Sequence, residues 1–172
     1  MVTGQDGTGR SLVVSDEEVE PVRLRLMPGT EFHRLWGSDA APTLPTDGTA
    51  PRAPGYFPTG AGYRFAFLTL PPHSDRLPAD IDVAAAIEEI QATLPGLLEA
   101  MEPEHPGMHT TDTVDAALVT AGEVVLELDD GVEVDLYAGD CVIQNGTRHA
   151  WHNRSDQPAV IFCALLGAQR VR

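Results

Sequence analysis

A chain of 172 residues, 42% apolar and 22% charged, can bury a core without disulfides and is too apolar to stay disordered. Its formal net charge of −15 argues against partners that demand a basic face. Nucleic acid, bound by displacing counterions from phosphate, and anionic membrane surfaces both fall in that class.

The first ten residues, MVTGQDGTGR, read as a loose tail and lack the basic and apolar blocks of a signal peptide. Ser11–Val14 and Val22–Leu26 are expected strands, Pro28-Gly29 a turn, and residues 31–37 (EFHRLWG) a third strand. The stretch 38–62, crowded with Pro, Gly, Ala and Thr, supplies no regular element. So long a loop in a compact domain has a task, and two readings compete: a lid over the site, or an arm packed on a second subunit, with the arm preferred. Tyr63–Leu70 is a strand rich in aromatic and β-branched residues, closed by Pro71-Pro72. His73, after those prolines, is expected at the surface.

Residues 80–101 change to helical period. Val83, Ile87, Ile90, Leu94, Leu97 and Met101 recur at steps of four and three, forming one apolar stripe. Asp80 or Asp82 caps the start, and Pro95 kinks the helix or divides it in two.

From Pro106 to Val160 the chain reads as short strands joined by tight turns at Ala121-Gly122, Asp130-Gly131, Ala138-Gly139 and Asn145-Gly146. Asp-Gly between alternating apolar runs is a hairpin signal, and turns at this spacing indicate an antiparallel sandwich or barrel. His109, Thr111, Thr113 and Asp115 share one parity, and so do His149, Trp151 and Asn153. Alternate residues of a strand face one way. If both faces look into one barrel, two imidazoles and a carboxylate meet there, the ligand set of a mononuclear metal site with open positions. His152 has the opposite parity and points away, Arg148 sits outward or at the rim, and His105 is a surface-loop residue or an extra ligand. Cys141 and Cys163 read as buried thiols in strands, and the apolar run 159–168 is too short to cross a bilayer. The protein is therefore expected in the cytoplasm.

The stretch resembles the two-part signature of the cupin superfamily. In the first motif His109 is present, Thr111 stands where a second His is usual, Asp115 takes the acidic position and Gly122 follows at the family spacing. In the second, Gly139, Gly146, His149 and Asn153 match, with Gln144 in place of proline and one residue fewer after the first glycine. The resemblance implies an all-β fold over residues 1–172: a single antiparallel β-barrel of jelly-roll type, its motif core at 105–166, with one or two short helices packed outside. It also implies one divalent ion (Fe, Zn, Mn, Ni or Co) on His109, Asp115 and His149, and a homodimer formed through exchanged N-terminal strands.

Thr111, Trp151, Tyr63 and Phe65 are expected to line a substrate pocket. The reaction expected is a Lewis-acid lyase, cyclase or decarboxylase step on a small oxygenated molecule, aromatic, polyketide-like or a carboxylate. A non-haem iron dioxygenase and a non-catalytic binding or structural dimer are the alternatives. No phosphate loop, GxSxG elbow or CxxC pair is present to carry other chemistry.

Overall fold

The computed structural model describes residues 1–72 and 79–171, so His73 lies outside the described residues. Among the described residues, eleven strands and two α-helices follow in the order β1 (Val2–Gln5), β2 (Ser11–Ser15), β3 (Val22–Leu24), β4 (Met27–Ser38), β5 (Tyr63–Leu70), α1 (Val83–Thr93), α2 (Leu97–Ala100), β6 (Thr113–Ala121), β7 (Glu123–Glu127), β8 (Glu133–Tyr137), β9 (Cys141–Asn145), β10 (Ala150–His152) and β11 (Ala159–Gly167). All ladders are antiparallel. A six-stranded sheet runs β3-β4-β5-β11-β6-β9, a three-stranded sheet runs β10-β7-β8, and β1 pairs with β2 alone.

The two larger sheets form a jelly-roll around one apolar core. Ala117 and Val119 of β6 and Ala159 and Ile161 of β11 meet Val124, Leu126 and Leu136 from the smaller sheet. In β6 the odd-numbered residues Thr113, Asp115, Ala117 and Val119 are buried, while Val114 on the other face is exposed. The parity expected from the sequence therefore holds through this strand.

The chain changes sheets between β6 and β7 at Gly122. Its φ of 72° suits glycine, and a Cβ there would lie 2.7 Å from the carbonyl oxygen of Pro158. Between β7 and β8, Asp130 and Gly131 both take positive φ, as the expected hairpin turn requires.

The helical region resolves into two pieces. Asp82 caps α1 by accepting from the Ala85 N–H at 3.1 Å, and the break falls at Pro95-Gly96. Ile90, Leu94 and Leu97 pack fully against Leu24 and Phe32, but Val83 and Ile87 are exposed. The apolar stripe is a packing face only along its second half.

Several expectations are corrected. Residues 1–10 are not a tail: β1 and β2 form a hairpin closed by Asp6, whose Oδ1 accepts the N–H groups of Thr8 at 2.9 Å and Arg10 at 3.0 Å. Pro28-Gly29 lies within β4, and the reversal comes earlier, at Arg25-Leu26. The cause is tertiary: the Arg25 guanidinium donates to Glu89 and to the Ala85 carbonyl on α1. Cys141 is exposed, because β9 is the edge strand and this residue is on its outer side.

The long loop, preferred above as an arm, packs on its own chain. Arg34 donates to the carbonyl of Gly55 at 3.1 Å, and Arg64, 4% exposed, donates to those of Gly55 at 3.1 Å and Ser38 at 2.8 Å. The Tyr56 N–H donates to Pro95 at 2.7 Å, tying the loop to the helical region.

Candidate metal and ligand site

Two cross-strand pairs build the site. His109 and His149 exchange both backbone hydrogen bonds, at 2.9 and 3.0 Å, as an isolated antiparallel bridge. Residues paired this way project their side chains on the same side, and the ring centroids lie 4.2 Å apart. One layer away, Asp115 on β6 is the register partner of Gln144 on β9. All four residues line a cavity of about 80 Å³.

Each imidazole is oriented by the main chain. His109 Nδ1 bonds the carbonyl of Gly107 at 3.0 Å, and His149 Nδ1 bonds that of Thr147 at 2.9 Å. A carbonyl only accepts, so in both neutral rings Nδ1 carries the proton and Nε2 keeps its lone pair. Burial pushes the pKa of His149 down to about 4, helped by any charge on His109, and lowers that of His109 for the same first reason. Both rings are neutral near pH 7. Phe57 stacks on His109 at 6.3 Å, and Trp151 meets His149 edge-on at 5.7 Å.

Asp115 and Gln144 are buried, at 6% and 4% exposure. Asp115 Oδ1 and Gln144 Nε2 find no hydrogen-bond partner among the described residues. Loss of solvation raises the Asp115 pKa to about 6, an effect the Thr113 hydroxyl offsets only partly. Cys163 faces the same cavity, and burial holds its thiol protonated, its pKa pushed up to about 12.

Fitness for a metal follows from this donor set. The imidazole pair fits, because two neutral rings with fixed tautomers offer Nε2 lone pairs side by side. A three-residue set does not assemble: among the described residues no group of three or more His, Cys, Asp and Glu stands close enough to hold one ion. Asp115 lines the cavity without closing on the imidazoles.

Other expected site residues separate cleanly. Trp151 lines the cavity. Thr111 is buried but outside the lining, its hydroxyl bonded to that of Thr113 at 2.7 Å. Tyr63 and Phe65 are not in the site: the buried residues of β5 are Arg64 and Ala66, and Phe65 is exposed on the outer face. Both faces of this strand are apolar, so its pattern could not say which one turned inward.

His105 is exposed in its loop and absent from the lining. His152 pairs with Glu127 at 2.6 Å and Arg148 with Glu102 at 2.7 Å, both away from the imidazoles' side as parity requires. Asn153 ties a turn, donating to Gln157 at 2.7 Å and accepting from Ser155.

The sequence reading missed Tyr56 and Phe57, which the loop delivers to the cavity wall, and Phe32 beside them. An adjacent aromatic pair in a Pro/Gly-rich loop was the available signal. It also missed Gln144, the one long polar side chain pointing inward from β9.

Residues 97–165 match the family model of the cupin domain. The chain carries a cupin domain. Over 48 residues the chain is 46% identical to phomopsin biosynthesis cluster protein C' of Diaporthe leptostromiformis, a stretch amounting to 28% of this chain and 25% of that protein. Over 55 residues it is 42% identical to oryzines biosynthesis cluster protein J of Aspergillus oryzae, covering 30% of this chain and 31% of that one. The match thus spans about a quarter to a third of the curated relatives' length. A solved cupin 2 conserved barrel domain protein from Salinispora arenicola superposes with a TM-score of 0.44 at 16% identity, over 90% of this chain and 92% of that one. Cupins often bind a metal. No helix among the described residues is long and apolar enough to cross a membrane.

Proposed function

We propose that this cupin domain is a metal-dependent enzyme acting on a small oxygenated organic molecule, in a lyase, cyclase or decarboxylase type of step. The supporting observation is the His109–His149 pair: both Nδ1 atoms bond backbone carbonyls, and both rings are neutral at working pH. His109 and His149 would hold the ion. When bound, it supplies Lewis-acid polarisation of a substrate carbonyl or carboxylate oxygen. Asp115 is the proton carrier. A carboxyl titrating near pH 6 is matched to accepting a proton beside a carbonyl and returning it to the product. Trp151 and Phe57 exclude water from the reacting atoms and keep the imidazoles in register.

The cavity is small, about 80 Å³. That favours the small carboxylates over the aromatic and polyketide-like substrates. The two curated relatives are named as biosynthesis cluster proteins, which supports a place in the chemistry of a small natural product.

Elemental analysis of untagged protein, after incubation with Fe(II), Mn(II), Ni(II), Co(II) or Zn(II), is expected to give about one ion per chain. His149→Ala is expected to weaken that binding by at least about a hundredfold, one of two imidazoles being lost. A stoichiometry near zero in the wild type overturns the metal reading. Binding without turnover is the second reading, favoured by a protein donor set of only two imidazoles. Metal-loaded protein that binds small acids yet converts none of a panel of them would establish it.

A further inference from the structure

The cavity holds two polar groups that the protein leaves unanswered. Gln144 is 4% exposed, and its amide is fixed at one end: the Thr147 hydroxyl donates to Oε1 at 2.5 Å. The other end, Nε2, is a buried donor with no partner among the described residues. Its register partner Asp115 presents a buried oxygen that is equally unpartnered. An unmet buried hydrogen-bonding group is destabilising, and native interiors keep very few. Two of them sit on paired strands, in residues that line one small cavity beside the imidazoles, and supply a donor and an acceptor.

We propose that Gln144 is a specificity-determining residue whose side-chain amide donates to a carboxylate oxygen of a small 2-hydroxy acid, the acid's hydroxyl donating to Asp115. The chemistry selects this class. Gln144 calls for an acceptor and Asp115 for a donor, and their register pairing suits a short ligand that carries both functions. The small cavity, about 80 Å³, suits a ligand of few non-hydrogen atoms. A lone carboxylate would satisfy Gln144 and leave Asp115 unmet, whereas a diol would serve Asp115 without offering a strong acceptor. Aliphatic walls at Leu68, Ala117 and Leu165 complete the lining. The inference rests on reading this cavity as the organic molecule's site, but not on the metal.

Glycolate is the probe, with acetate and ethylene glycol as controls lacking one function each. Binding is followed by calorimetry and by the side-chain ¹⁵N amide signals of the full chain, in chelator-treated and Zn(II)-loaded forms. The Gln144 amide pair is assigned by its loss in Gln144→Leu. Glycolate is expected to bind more tightly than either control and to shift that pair. Gln144→Leu and Gln144→Glu are each expected to weaken glycolate about ten- to a hundredfold, the cost of a hydrogen bond to a charged acceptor, while Zn(II) affinity stays unchanged.

The proposal is overturned if glycolate does not bind the wild type, binds both variants as tightly, or leaves the Gln144 amide unmoved. Should Gln144→Leu fail to fold, Gln144→Glu, which keeps the shape, decides on the same criteria. Absence of Zn(II) binding with glycolate still recognised defeats the metal reading alone. Zn(II) binding with no glycolate effect defeats the role of Gln144 alone.

Discussion

At the scale of single residues, the site is governed by what burial does to charge. Desolvation makes both imidazoles worse bases and Asp115 a weaker acid, so all three are driven toward neutrality. For Asp115 the sign of the stability effect is definite. The folded acid titrates near pH 6 against 3.8 for a free aspartate, so folding favours its protonated form. Below about pH 4 the residue is protonated in both states and contributes nothing. As pH rises to 6 its ionisation removes stability, about 3 kcal/mol in all. In chelator-treated protein, Asp115→Asn is therefore expected to melt above the wild type at pH 8. The gap should close as the pH is lowered to 4, read by thermal unfolding at each pH. A constant gap, or a variant less stable at pH 8, contradicts the burial argument. Thr111, where the family has a second imidazole, binds Thr113 instead of entering the cavity, which accounts for a two-imidazole set.

Among the elements, the long loop 38–62 carries the most consequence. Without helix or strand of its own, it is held by the two arginines of β4 and β5, and this positions Phe57 against His109 with Tyr56 packed on Phe57. Buried Arg64 pairs with Asp39 and donates to the carbonyls of Ser38, Gly55, Phe57 and Tyr63. Replacing it by methionine strands those acceptors and leaves Asp39 without its cation. Arg64→Met is expected to cost about 3 kcal/mol and to release the loop. Trypsin cleavage after Arg52, followed by mass spectrometry, should be faster than in the wild type by at least about tenfold. Unchanged cleavage would mean that apolar contacts of Tyr56 and Phe57, not the arginine clamp, hold the loop.

For the whole molecule, 26 acidic residues against 11 basic ones leave net repulsion. The surface ion pairs, such as Arg23–Glu31 and Arg154–Glu133, are screened by solvent and add little stability. Screening therefore relieves more repulsion than it costs in attraction. The melting temperature is expected to rise by a few degrees between about 10 mM and about 0.5 M NaCl at pH 8. A fall would show that the ion pairs outweigh the net charge.

What the sequence determined by itself was local or periodic. The inward face of β6 and the opposed histidines follow from a period of two, the β7–β8 hairpin from Asp130-Gly131, and the helix break from Pro95-Gly96, all rules acting over a few residues. What tertiary structure alone decided was partnership between segments far apart in the chain. β5 is apolar on both sides, so only packing against β4 and β11 assigned Phe65 outward and Ala66 inward. Contact with α1, not Pro28-Gly29, set the first reversal of the large sheet. A loop without periodicity delivered two aromatic rings to the site. Only pairing with β9 placed Gln144 beside Asp115, where desolvation by neighbours distant in sequence makes both groups chemically distinctive.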